Sequence, residues 1–154
     1  MNTLSNHRYL LISLIFAVVS ICSCEKTEFT METYTKPLLQ WGASEADIVN
    51  HMKDNRLISN SGGYMYYRGR RQEDVISYHL NNGQLTTVST FVPRTITTLS
   101  HLTEEFKGYK YLGEISSHHI YINESTNTFA TIGKSVKGKK KYFTINWTHL
   151  HSIN

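Results

Sequence analysis

Three patterns of apolar spacing divide the chain. Residues 9–19 are apolar almost without a break, Ile48, Val49 and Met52 fall at three-to-four spacing after an apolar entry segment, and beyond Gly63 apolar positions come in short alternating runs. The first run follows Arg8 and is too short to span a bilayer, which is the make-up of a secretory leader. The second predicts an amphipathic helix. Pro37-Leu38-Leu39-Gln40-Trp41-Gly42 leads to Ser44, with Asp47 three residues on, a variant of the capping box in which the carboxylate also favours the positive helix end. Ile48, Val49 and Met52 are expected on one face, and the helix should fade near Asp54-Asn55.

The alternating runs predict strands. Tyr64-Met65-Tyr66-Tyr67, residues 75–80 and residues 85–92 are rich in aromatic and β-branched side chains, and Ile76, Tyr78 and Leu80 share a face. Asn82-Gly83 is a strong hairpin signal, and Pro93 closes the set. Leu99, Leu102, Phe106 and Tyr109 then form a helical stripe, with Gly108 placed for a left-handed cap. Strands resume at 111–115, 119–122, 129–132 and 142–147, separated by Ser116-Ser117, by residues 123–127 and by a lysine-rich turn around Gly138. Phe143, Ile145 and Trp147 point one way. The fold class is α+β, two short helices on a mainly antiparallel sheet. The order suggests two α-βββ half-repeats, 37–94 and 95–154, although the halves share no sequence identity. A single antiparallel sheet with both helices on one face satisfies the pattern equally.

The leader closes on Ile21-Cys22-Ser23-Cys24, which resembles the lipobox of bacterial lipoproteins. That motif carries a branched apolar residue at minus three, a small one at minus one and the lipid-bearing cysteine next. The resemblance implies a signal peptide over 1–23, lipid attachment at Cys24 and a polar tether over 24–36 before a single domain at 37–154. Cys22 is a poor rival, because Ile21 would stand at minus one. Cys22 and Cys24 are the only cysteines, so the mature chain has no internal disulfide and must fold by core burial. A dozen tether residues reach at most about 40 Å. Glu25 is not the aspartate that retains lipoproteins in the inner membrane of enteric-type bacteria, which favours the outer membrane, facing periplasm or surface. The formal charge of +4 falls when Arg8 leaves; so mild a balance argues against a nucleic-acid partner.

Trp41-Gly42-Ala43-Ser44, Asp47-Ile48, Met52, Tyr78 and Asn82-Gly83-Gln84-Leu85 together resemble a motif of small Bacteroidetes lipoproteins of uncharacterised function. The wider pattern, a Gly-x-Ser helix start, a short helix and a β-meander with an Asn-Gly hairpin, is similar to outer-membrane assembly lipoproteins of the SmpA/OmlA type and to the β-lactamase-inhibitor-protein fold. The resemblance covers residues 37–92. It implies a scaffold for protein contacts and carries over no catalytic residue. Glu25 with Glu28 is a thin version of the acidic signal for surface export in Bacteroidetes.

Candidate chemistry is sparse. All but His7 of the eight histidines lie beyond the leader. His149 and His151 would share a strand face and could bind zinc with His118 or His119. Against this, the first pair lies near the carboxyl end, His118 and His119 diverge if extended, and no His-Glu-x-x-His helix accompanies them. Nucleophilic catalysis needs a nucleophile, a base and an orienting group. The mature chain offers no free thiol, and its three aspartates are Asp47, Asp54 and Asp74. Glu104-Glu105 diverge on a helix and read as a solvated face. Two basic stretches remain, Arg68, Arg70 and Arg71 after the tyrosine-rich strand, and Lys134, Lys137, Lys139, Lys140 and Lys141 around Gly138. Arginine beside tyrosine can build a stacking surface. Of the tyrosines, one alternate set is expected in the core. Tyr64, Tyr66, Tyr67, Arg68, Arg70 and Arg71 are therefore the candidate binding residues.

These features point to a lipid-anchored, non-enzymatic envelope domain that contacts another protein or a surface ligand, with the Cys24 lipid as its one covalent attachment and no cofactor. The alternatives are a metal-dependent or other hydrolase acting on envelope glycan or peptide, with His118, His119, His149 and His151 as suspects, and an immunity or inhibitor protein.

Overall fold

The computed structural model describes residues 35–71, 74–94, 97 and 99–152. The expected signal peptide, the Cys24 attachment site and most of the tether lie outside the described residues.

A short helix, α1 (Glu45–His51), is followed by strands β1 (Leu57–Ser61), β2 (Tyr64–Arg68), β3 (Val75–Asn81) and β4 (Gln84–Pro93). A second helix, α2 (Leu99–Thr103), runs into a 3-10 turn at Glu104–Phe106 and precedes β5 (Lys110–Ile115), β6 (His118–Asn123), β7 (Thr128–Lys137) and β8 (Lys140–His149). The eight strands form one sheet in the order β1-β2-β3-β4-β8-β7-β6-β5, and every neighbouring pair is antiparallel. Each helix thus precedes a four-stranded meander, and the last strands of the two meanders, β4 and β8, pair at the centre.

Local chemistry accounts for most boundaries. At the start of α1, the Ser44 hydroxyl accepts from the Asp47 amide at 3.3 Å, while the Ser44 amide donates to the Asp47 carboxylate at 2.8 Å. The hydrogen bonds from the Ser44 side chain and backbone hold the Asp47 carboxyl below its ordinary pKa. Asn82 and Gly83 both take positive φ, as a type I′ hairpin requires. Gly108 takes φ +92 after the second helix. The helix ahead of it is shorter than its stripe, because the chain tightens from α to 3-10 geometry at Glu104; Leu102 and Phe106 are nevertheless buried, with Leu99 and Tyr109 packed beside them.

Three expectations need correction. The first half has four strands, because β1 pairs along β2 although all five of its residues are exposed and carry no apolar alternation. Val49 is 47% exposed and leaves the face that Ile48 and Met52 bury. Glu104 and Glu105 do not share a solvated face: Glu104 pairs with Lys107, whereas Glu105 is half-buried and its carboxyl is pushed up by burial.

The core occupies one face of the sheet. Met65, Tyr67, Ile76, Tyr78, Val88 and Val92 from the first meander join Ala130, Ile132, Phe143, Ile145 and Trp147 from the second, and Ile48, Met52, Leu102 and Phe106 cover them. The leading segment runs across this face and ties the halves together. The Leu38 amide donates to the Tyr78 hydroxyl at 3.1 Å, the Trp41 indole donates to Thr128 at 2.8 Å, and the Gly42 amide donates to the Leu85 carbonyl at 3.0 Å. Burial pushes the Tyr78 phenol up to about 12. Thr90 is buried opposite Ile145 at the β4-β8 joint, and its hydroxyl has no hydrogen-bond partner among the described residues. Thr90→Val keeps the branched shape and removes that unpaired group, so the denaturation midpoint should rise by the equivalent of about 1 kcal/mol. A lower midpoint would show that the hydroxyl is bonded in solution.

Candidate functional site: the open face of the sheet

With one face covered, the alternate residues of every strand line the other. Their register is regular over the five strands β2, β3, β4, β8 and β7. Tyr64, His79, Thr87, Thr148 and Phe129 make one row; Tyr66, Ser77, Ser89, Asn146 and Thr131 make the next; Arg68, Val75, Phe91, Thr144 and Gly133 make a third. The centre is polar and internally bonded. The Ser89 hydroxyl donates to Asn146 Oδ1 at 2.7 Å, Asn146 Nδ2 donates to Thr131 Oγ1 at 3.4 Å, and Ser135 and Thr144 share a hydrogen bond of 2.7 Å.

Aromatic rings flank this polar centre. Tyr64 stacks on His79 with ring centroids 4.3 Å apart and also lies beside Tyr66. Beyond the third row, a cavity of about 430 Å³ is lined by Tyr66, Val75, Phe91 and Tyr142 together with Ser135, Val136 and Lys137. These residues come from both sides of the central joint, so neither meander forms the cavity alone. No carboxylate stands in the three rows. This arrangement offers flat aromatic surfaces and hydroxyl and amide hydrogen-bonding groups.

The candidate binding residues divide. Tyr64 and Tyr66 are on the open face, 42% and 36% exposed. Tyr67 is 3% exposed and meets Tyr78 edge-on in the core, so it is not a surface residue. The reason is strand alternation, which turns Met65 and Tyr67 toward the helices. Arg68 ends the third row. Arg70 and Arg71 lie in the loop beyond, where the Arg70 amide donates to Thr35 Oγ1 at 2.9 Å and Arg71 Nε donates to Asp74 at 2.9 Å.

The histidines do not converge. His118 lies over Gly133, where an added Cβ would collide with the imidazole. His119 turns to the other face, toward the Tyr111 hydroxyl at 3.3 Å and Glu114 at 3.9 Å. His149 stacks on Trp41 at 5.8 Å, and its neighbour His151 falls in a 3-10 turn after the strand instead of sharing its face. His119 pairs with Ile132 and His149 with Thr128, which puts the two at different levels on opposite sides of β7. Among the described residues, no three His, Cys, Asp or Glu side chains form a group that could hold a metal ion. Also among them, no helix is long and apolar enough to cross a membrane.

Sequence reasoning did not single out His79, Phe91, Tyr142 or the Ser89-Asn146-Thr131 chain. Their signal was present as the polar alternates of strands read only for their apolar ones. Compared with known proteins, the chain matches no family model, and no curated protein or solved structure is significantly similar to it.

Proposed function

We propose that this is a non-enzymatic binding module of the bacterial cell envelope, attached through lipid on Cys24 and contacting another protein with the open face of its sheet. The single observation that carries the reading is that face. The core covers one face of the sheet, and the uncovered face combines aromatic rings, a bonded hydroxyl-amide centre and a cavity crossing the central joint. Interfaces of this kind draw on tyrosine, which supplies contact area and a polar tip with little loss of conformational freedom. The reading includes an outer-membrane location and two related halves, each a helix with a four-stranded meander. The identical element order and the symmetric strand order support the second point. Tyr64, Tyr66, Phe91 and Tyr142 are its contact residues.

Photo-cross-linking in cells tests the reading. A cross-linking side chain at Tyr66 or Tyr142 should give a discrete adduct with an envelope protein, whereas the same group at Val49 or Leu112, both exposed elsewhere, should give none. Tyr66→Ala with Phe91→Ala should lower that adduct at least tenfold while the fold is kept. Equal adducts at all four positions, or none at Tyr66 and Tyr142, would refute it.

A further inference from the structure

Charge is distributed along the strands and not across the sheet. The register defines two ends. One carries the β2-β3 loop, the end of β4 and the β7-β8 hairpin: Arg68 pairs with Val75, Val75 with Phe91, Phe91 with Thr144, and Lys137 with Lys140 at the hairpin tip. Lys137, Lys139 and Lys141 are exposed there. The Arg94 amide donates to the Lys141 carbonyl at 3.0 Å, adding a further cation beside the tip. The opposite end carries the Asn82-Gly83 turn, the β6-β7 loop with Glu124 and the start of α1 with Glu45 and Asp47, along with Lys107 ahead of β5 and Lys110 at its start. Asp54 and Asp74 are the carboxylates beside the β2-β3 loop at the lysine end.

The chain comes into the fold at the basic end. Thr35 Oγ1 accepts from the Arg70 amide in the β2-β3 loop, and the Lys36 carbonyl meets the His51 ring at 3.0 Å. The segment then crosses the core toward Leu85 and Thr128 at the far end. Ten residues, and so eleven Cα–Cα steps, separate Cys24 from Thr35. They span at most about 40 Å when taut, and about 18 Å root-mean-square if they behave as a flexible coil.

We propose that the β7-β8 hairpin end is a docking surface for the anionic lipid headgroups of the membrane that holds the chain. This rests on the reading that Cys24 is lipidated. Two arguments select lipid over an acidic protein. The tether leaves from the same end as the lysines, so an acylated chain keeps them within its short reach of the bilayer at high effective concentration. The far end mixes Glu45, Asp47 and Glu124 with Lys107, which is paired with Glu104, and Lys110, so it offers a negative surface no cation cluster to compete with the hairpin. The basic tip then joins the acyl group in holding the domain upright, with the strands near the membrane normal and the open face exposed sideways. Ten-residue strands put the two ends about 30 Å apart.

The test uses the full chain, made and processed in a lipoprotein-producing host and reconstituted into vesicles. Mass analysis of the peptide containing Cys24 reads the anchor separately. A fluorophore at Val136→Cys or at Gln84→Cys, both exposed positions at opposite ends, is quenched by headgroup-labelled lipid. In vesicles with one third phosphatidylglycerol, quenching at 136 should exceed that at 84 at least threefold. The ratio should fall toward one in phosphatidylcholine alone, in 0.5 M salt, and in Lys137→Gln with Lys139→Gln. Lys107→Gln with Lys110→Gln removes the same charge elsewhere and should leave it unchanged. Equal quenching at both ends, or a ratio indifferent to lipid charge, overturns the proposal. If Cys24 proves unacylated, the anchor reading fails by itself. The hairpin is then judged by co-sedimentation of the same chain with phosphatidylglycerol vesicles, where each lysine near the surface contributes about fivefold. The Lys137→Gln, Lys139→Gln pair should weaken binding about thirtyfold, and binding unaffected by it overturns the docking surface too. Salt-sensitive adduct formation with an acidic protein, without any lipid dependence, would assign the lysines to that partner instead.

Discussion

Trp147→Ala should be the most damaging single truncation in the domain, lowering stability by about 3–5 kcal/mol. The indole is 2% exposed, and its strand is paired on both sides, with Val88 of β4 and Ala130 of β7 as neighbours. Phe106 lies nearly parallel to it at 6.0 Å and stacks on Tyr121 at 4.5 Å. Trp147 therefore packs against both meanders and against the 3-10 turn that follows α2. Ala130 is the small cross-strand partner beside the indole. A typical domain has about 5–15 kcal/mol in total, so the variant should melt roughly 10 °C lower or more. Val49→Ala is the control, since that side chain is 47% exposed, and its midpoint should stay within about 0.5 kcal/mol of the parent. A loss at Trp147 below about 1 kcal/mol would mean that the two meanders do not share a core at this position.

The same residue shows how far the sequence could be read. Phe143, Ile145 and Trp147 alternate with polar residues, and that alternation gives both the strand and its inward face. The Asn82-Gly83 turn and the Ser44-Asp47 cap are local chemistry, settled within four residues, and both hold. Strand β1 was not legible for the converse reason. Its residues are all exposed, so no burial pattern marks it, and only its partner β2 makes it a strand. Strand order is likewise non-local. Nothing in β4 or β8 announces that Val88 will lie beside Trp147 or Thr90 beside Ile145, because an antiparallel neighbour leaves the same alternation whichever strand it is.

The open face was half legible. Tyr64 and Tyr66 stand out as aromatic residues on a strand whose other face is apolar, and both are where alternation puts them. Ser77, Ser89, Asn146 and Thr131 read as ordinary solvent-side positions. What makes them a surface of one piece is the register that stacks four strands in a row. Tyr67 shows the opposite failure. The two-residue period marks one alternate set for the core without saying which, and burial shows that Tyr67 belongs to it with Met65.

Cys24→Ala should abolish acylation completely, with Cys22→Ala leaving it intact. The distinction follows from the spacing in Ile21-Cys22-Ser23-Cys24: attachment at Cys24 puts Ile21 at minus three and Ser23 at minus one, whereas attachment at Cys22 would put a bulky branched side chain beside the cut. Metabolic labelling with palmitate, followed by gel analysis, reads the result directly. The parent and Cys22→Ala should carry equal label and Cys24→Ala none, while loss of label in Cys22→Ala alone would move the attachment site. Label absent from all three would refute the lipid reading and leave an ordinary secreted protein. The consequence for the domain is geometric. Acylation at Cys24 would put the bilayer within eleven residues of Thr35 and hence of the sheet end that carries the lysine hairpin. Without it, that end meets a membrane only by its own charge, an attraction confined to about 8 Å at physiological salt. Membrane retention and sheet orientation should therefore be lost together in Cys24→Ala, and orientation alone in the hairpin lysine variant.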